Sequence, residues 1–301
     1  MWGTANLFSN ARYMNGGSTN PELHSYAYAA CQVKKIIEIT HRLGGENIVF
    51  WGGREGYQSL LNTDVKQELD HMALFFKMAI KYKQEVGFKG QFLIEPKPKE
   101  PTKHQYDYDA QTVIGFLRTY NLEEHFKLNI EPNHTTLAGH CYDHDLHVAS
   151  KYNMLGSLDI NTGSPDLGWD TDQFLMDPKL ATSVLLTVIQ QNGLAPGGLN
   201  FDCKVRRESS DLEDLFIAHI GAMDNLAFAL KKAAKIHLDK HLEKMVSDRY
   251  SSFKTNDLGK LIEEGKASFA DCEKFIKENG EAKQVSGKQE KFEQVFNNYF
   301  V

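Results

Sequence analysis

The sequence is notable first for what it does not contain. No stretch approaches the roughly 18 consecutive apolar residues a membrane-spanning helix needs, so no membrane partner is expected. Met1 to Ser9 lacks a basic region followed by an apolar core, and is not read as a secretory leader. There is no long basic run and the net charge is -6, which argues against a nucleic-acid surface. The four cysteines (Cys31, Cys141, Cys203 and Cys272) stand far apart with no CxxC pair. They are read as reduced thiols of a cytoplasmic protein, not as zinc ligands. With 25% charged and 41% apolar residues, the 301-residue chain has the make-up of an ordinary globular protein.

Short apolar runs that end in an acid organise the chain. Phe92, Leu93 and Ile94 lead into Glu95, and Leu128 and Ile130 lead into Glu131. Parallel strands covered by helices on both faces read as such continuous runs. In an α/β barrel, the carboxyl end of a strand is where ligands and chemistry sit. Gly156 to Ile160 repeats the pattern around Asp159, and Gly198 to Asp202 repeats it at Asp202.

Taken in order, a helix is expected after Asn20-Pro21 and ends at Gly44-Gly45. Asn47 to Trp51 is a strand that runs into Gly52-Gly53-Arg54-Glu55-Gly56. This turn lacks the Gly-Lys-Ser/Thr ending of a phosphate loop, so its glycines are read as places of close backbone approach. A helix from about Thr63 to Val86 puts Met72, Phe75, Phe76, Met78 and Ala79 on its apolar side. Further helices are expected over 110–120, 143–153, 178–191 and 211–237, with a loop over Thr135 to His140. His140 and His144 are read as hydrogen-bonding residues near a helix start. Strands ending near Leu7, Trp51, Glu95, Glu131, Asp159 and Asp202 are spaced for parallel pairing with crossover helices. The expected fold is therefore α/β, a TIM (β/α)8 barrel with about six βα units present. Residues 1–236 would form barrel units and 237–301 a helical arm for packing or oligomerisation.

The acids make one constellation. Glu95, Glu131, Asp159 and Asp202 end four successive strands, with His134, Asp170 and Asp172 on adjoining loops. Six carboxylates and an imidazole packed together would repel and raise their own pKa values. Two divalent cations would relieve this, and the oxygen-rich set suits Mg²⁺, Mn²⁺ or Co²⁺. Lys97 could place an ammonium over the same site.

The runs Trp51 to Gly56, Glu95-Pro96-Lys97-Pro98, His134 after Glu131, Gly168 to Phe174 and Asn200-Phe201-Asp202 closely resemble xylose isomerase, with the longer bacterial and fungal type the nearer match. The resemblance implies an aldose–ketose isomerase acting on D-xylose, and on D-glucose as well. It implies one cation on Glu95, Glu131, Asp159 and Asp202, and a second on Glu131, His134, Asp170 and Asp172. Lys97 would bind charge developing on O1, Trp51 would wall off the hydride path, and Asp170 would help move the O2 proton. A homotetramer is the family's implied assembly.

Two departures stand out. The segment Trp-Gly-Thr-Ala-Asn, which follows two strands in the family, begins here at Trp2. The His and Asp that open the sugar ring in the family are thus expected to be missing. Thr162 and Ser164 stand where the family usually has Arg and Asp. The alternative is a truncated, catalytically impaired fragment that binds metal or sugar without turnover. A metal-dependent endonuclease of the same superfamily is disfavoured by the acidic charge. A rhamnose isomerase is disfavoured by the Glu-Pro-Lys-Pro and Trp-Asp-Thr-Asp runs.

Overall fold

The computed structural model describes residues 2–301. Met1, where the leader reading begins, lies outside them. The chain divides into two compact units, up to Ala229 and from Leu230 onward. The first unit carries ten strands: β1 (Trp2–Thr4), β2 (Asn47–Trp51), β3 (Gly56–Tyr57), β4 (Gln91–Glu95), β5 (His104–Gln105), β6 (Phe126–Ile130), β7 (Leu155–Asp159), β8 (Asn161–Thr162), β9 (Gln173–Phe174) and β10 (Leu199–Asn200). Six of them form one parallel sheet in the order β1-β2-β4-β6-β7-β10. The others pair as small antiparallel ribbons, β3 with β5 and β8 with β9. Among the described residues β1 and β10 remain the outer strands, so the sheet is a partial barrel of six βα units.

The register explains why the strand ends converge. Trp51 pairs with Glu95 and Ile130 with Leu158, so the carboxyl ends of neighbouring strands come out side by side. The strands are buried on both faces, as their continuous apolar runs require. Phe92, Leu93, Leu128, Ile130 and Leu158 are almost wholly buried. The rings of Phe50, Phe76, Phe92 and Phe126 meet with centroids 4.9 to 5.9 Å apart and lock the helix that carries Phe76 to the sheet.

The crossover helices are α1 (Leu23–Arg42), α2 (Val65–Glu85), α3 (Ala110–Thr119), α4 (Pro132–Leu137), α5 (His144–Lys151) and α6 (Pro178–Gln190). α1 starts later than Asn20-Pro21 suggests. Asn20 instead accepts from Glu22 N in a preceding turn, and Glu22 caps the helix. α2 is capped by Asp64, which accepts from Gln67 N at 3.0 Å. Its buried face holds Met72, Phe75, Phe76 and Ala79, but Met78 is 47% exposed. At about 100° per residue, Met78 falls off the stripe the other four share. The expected loop over Thr135 to His140 is also corrected, since Pro132 opens a short helix there. The last strand is shorter than Gly198 to Asp202, because only Leu199 and Asn200 pair with β7.

α7 (Leu212–Asp239) follows. The second unit contains α8 (His241–Arg249), α9 (Ser251–Thr255), α10 (Asp257–Glu263), α11 (Phe269–Asn279) and α12 (Gln289–Asn297). α9 and α10 approach so closely that a Cβ on Gly259 would lie 2.4 Å from the Phe253 carbonyl oxygen. α11 opens with a reciprocal cap between Ser268 and Asp271.

Candidate metal-binding and active site

Glu95 and Asp159 are the final residues of β4 and β7, and both are more than nine-tenths buried. Glu131 lies one residue past β6 and caps α4, which carries His134. Asp202 departs from the expectation of a strand-end acid. It stands two residues beyond β10, exposed, with left-handed backbone at φ +42°. Asp172 shares that conformation, also at φ +42°. These two turns supply what the short outer strand does not, and direct both carboxylates toward the strand ends.

The predicted ligands fall into three overlapping groups whose donor atoms lie within 4.8 Å of one another. They are Glu95, Glu131 and His134; Glu95, Glu131, Asp159 and Asp202; and Glu131, Asp170 and Asp172. Glu131 belongs to all three. All seven predicted side chains are thus brought to one cleft, which Lys97 and Trp51 also line.

The electrostatics are those of crowded, buried acids. Burial, with the charge of Asp159 beside it, pushes the Glu95 carboxyl well above the ordinary range. Burial and the charges of Glu95 and Asp170 do the same to Glu131. Asp159 is raised to about 6, chiefly by burial. Asp172 is raised by burial and by hydrogen bonding to Asp170. At Asp170, burial is outweighed by hydrogen bonding from His134 and Asp172 and by the charges of His134 and Lys97, so its carboxyl lies far below the usual range.

Four asparagines hold the acids in place, and none was foreseen. Asn129 donates to both Glu95 and Asp159, Asn200 to Asp159 at 3.1 Å, Asn161 to Glu131 at 2.6 Å, and Asn133 to Asp170. Each lies two residues from a predicted ligand. In the strands that spacing keeps a side chain on the same face, a signal the sequence did carry.

Two observations show that the donor set fits cations. His134 Nδ1 lies 3.0 Å from the Pro96 carbonyl oxygen, which fixes its proton there. Its Nε2 then faces Glu131 Oε1 and Asp170 Oδ2, each at 3.2 Å. A ring nitrogen that faces two carboxylate oxygens at this distance has a proton or a metal between them. In addition, Asn129 and Asn161 each leave a buried Oδ1 without a partner.

Lys97 and Trp51 complete the cleft. Lys97 Nζ donates to Asp170 Oδ2 at 2.7 Å and sits 5.3 Å from the centre of the Trp51 ring. Phe8 packs edge-on against Trp51 with centroids 4.4 Å apart. The neighbouring glycines serve close approach, as the sequence suggested. A Cβ on Gly53 would lie 2.3 Å from the Trp51 ring, and one on Gly52 would lie 2.5 Å from Asp107 Oδ2. At the departures from the family pattern, Ser164 Oγ accepts from Gln173 at 3.0 Å, and Thr162 pairs with Gln173 between β8 and β9.

Fold and site together define a TIM-barrel chain whose strand ends carry a carboxylate-rich cluster able to hold divalent metal. The chain belongs to the xylose isomerase family. It is 58% identical over 296 residues to xylose isomerase of Arabidopsis thaliana, covering 98% of this chain and 62% of that protein. It is 55% identical over 299 residues to xylose isomerase of Phocaeicola vulgatus, covering 99% of this chain and 68% of that one. The XylA2 C-terminal domain family matches residues 246–300. Thus the chain spans about three fifths of the length of the plant relatives, that of Hordeum vulgare included.

Among solved structures, a D-tagatose 3-epimerase-like protein has a TM-score of 0.58 at 12% identity, covering 77% of this chain and 78% of its own. A putative xylose isomerase from Rhodospirillum rubrum has a TM-score of 0.55 at 13% identity, covering 74% of each chain. At such identities the likeness is one of fold. These comparisons do not carry the expected assignment to the longer type. The relatives' names make no such division. The assignment is corrected to the family alone.

Proposed function

We propose that this chain carries the catalytic site of a metal-dependent aldose–ketose isomerase that interconverts D-xylose and D-xylulose, and D-glucose and D-fructose as a second pair. The observation that carries the proposal is Glu131 as the shared member of three donor groups, beside the buried Lys97–Asp170 pair. One divalent cation would be held by Glu95, Glu131, Asp159 and Asp202, and another by Glu131, His134, Asp170 and Asp172. Mg²⁺, Mn²⁺ and Co²⁺ all suit these donors. Bound there, such cations would supply Lewis-acid polarisation of the sugar's carbonyl and hydroxyl oxygens.

The remaining chemistry falls to side chains. In the forward direction the C2–H bond breaks, and its hydrogen passes with the electron pair to C1. The O2 proton leaves and O1 gains one. Lys97 donates to O1 as negative charge develops there. Asp170, paired with Lys97 Nζ, helps move the proton that leaves O2. Trp51, backed by Phe8, gives the cleft an apolar wall that keeps water from the path between C2 and C1.

The open sheet favours a second reading, in which the chain binds metal or sugar without turnover. Assembly as a homotetramer, with residues 237–301 as an oligomerisation element, and a cytoplasmic location belong to the same proposal. Among the described residues no helix is long and apolar enough to cross a membrane.

Thermal unfolding with EDTA, then with millimolar Mn²⁺, followed by a xylose-to-xylulose assay, tests the proposal. Ligand binding to the native state raises the melting temperature by mass action. A cooperative transition that moves up by several degrees, with xylulose formed, is the expected result. A shift without xylulose selects the second reading, and no shift overturns both.

A further inference from the structure

A second cluster lies outside the carboxylate cleft and shares no residue with it. His140, His144 and Asp145 each offer a donor atom, all within 4.8 Å of one another. The two imidazoles are stacked, with centroids 4.1 Å apart and planes 19° off parallel. Their i, i+4 spacing across the start of α5 is within the range of histidine pairs that bind zinc.

Buried donors lack partners here. Asp145 is only 2% exposed, and its Oδ1 meets no hydrogen-bond donor. His144 Nε2 is likewise buried and unpartnered. A buried carboxylate oxygen left unanswered is costly, and the charge of Asp109 nearby adds to the cost. Asp109 also contacts His140 Nε2 at 3.1 Å while capping α3 through Thr112 N at 2.8 Å. A carboxylate in that place orients a ligating imidazole. Asp109 and Asp145 together would balance one dication.

We propose that His140, His144 and Asp145 form a separate transition-metal site, of the class that takes Zn²⁺ or Co²⁺, with Asp109 orienting His140. Two imidazoles and one carboxylate select such ions over Mg²⁺. Donors at about 2.1 Å in a tetrahedral shell stand roughly 3.4 Å apart, so small side-chain rotations would close the site. The His140 side chain is 28% exposed, which leaves room for water as a fourth ligand. A metal held there would tie the starts of α3 and α5 together.

The test is zinc uptake by the full chain after equilibrium dialysis against Zn²⁺ in excess Mg²⁺, with circular dichroism melting as the check on folding. His144→Ala should take up one zinc per chain fewer than wild type. His144→Cys, which restores a ligand, should recover it, and a purely structural histidine would show no such rescue. Should His144→Ala fail to fold, the more exposed His140→Ala gives the same comparison. Equal uptake by wild type and a folded variant overturns the site and leaves a hydrogen-bonded histidine pair only.

Discussion

Lys97 Nζ and Asp170 Oδ2 stand 2.7 Å apart, with the two side chains 7% and 9% exposed. A buried pair of this kind is far costlier to break on one side than to remove whole. Lys97→Met strands Asp170 among carboxylates and removes the donor proposed for O1. Turnover should fall by about 100-fold or more, the scale of losing one donor to a developing oxyanion. Mn²⁺ binding should survive, because Lys97 offers no metal ligand. Near-normal turnover in a xylose assay would take Lys97 out of the mechanism.

Glu131 makes a different demand. As the member common to three donor groups, it is placed to serve two cations at once. Glu131→Gln halves its charge-bearing oxygens and should weaken both ions together. Counting Mn²⁺ by equilibrium dialysis checks this, with fewer than one tightly bound ion per chain expected. Two ions retained at wild-type affinity would refute the bridging role.

Much of this site was legible because parallel strands announce their own ends. The runs before Glu95 and Asp159 are apolar, the strands stop at those residues, and the register aligns them. Asp202 was less legible. Its strand has only two paired residues, and its direction is set by a left-handed turn that no local pattern encodes. The His140 and His144 rings could be seen as neighbours in sequence. The burial of Asp145 next to them could not, since it depends on the packing of α5. Met78 shows the same limit on a smaller scale, because an apolar residue one step off the stripe faces outward.

Glu55 sits within the glycine-rich turn and anchors a loop from much earlier in the chain. Its carboxylate is 6% exposed and accepts from the backbone of Gly17, Ser18 and Thr19 at 2.9 to 3.0 Å and from the Thr19 hydroxyl. Charge-assisted bonds of this kind are stronger than neutral ones. Glu55→Gln would turn an NH₂ group toward these donors. The expected cost is about 2–4 kcal/mol, from lost bonds and unsatisfied N–H groups. Urea unfolding of the metal-free chain measures it, and an unchanged midpoint would mean the loop does not depend on this anchor.

Asp107 gives stability a pH dependence of its own. It is 8% exposed, its Oδ1 has no partner, and burial above all pushes its carboxyl up to about 8. In the unfolded chain it would titrate near 3.9, the usual value for Asp, as a rough reference. A carboxyl raised on folding favours the native state below the unfolded value, and that advantage is lost as pH rises toward the folded value. Asp107→Asn does not titrate, so its stability relative to wild type should grow between about pH 4 and pH 8. The growth should be at most about 1.4 kcal/mol per pH unit, and should level off above pH 8. Urea midpoints in EDTA at several pH values check this. A difference that stays constant over the whole range would mean that Asp107 is ionised in the folded chain at neutral pH, and that some unseen cation or water answers its buried charge.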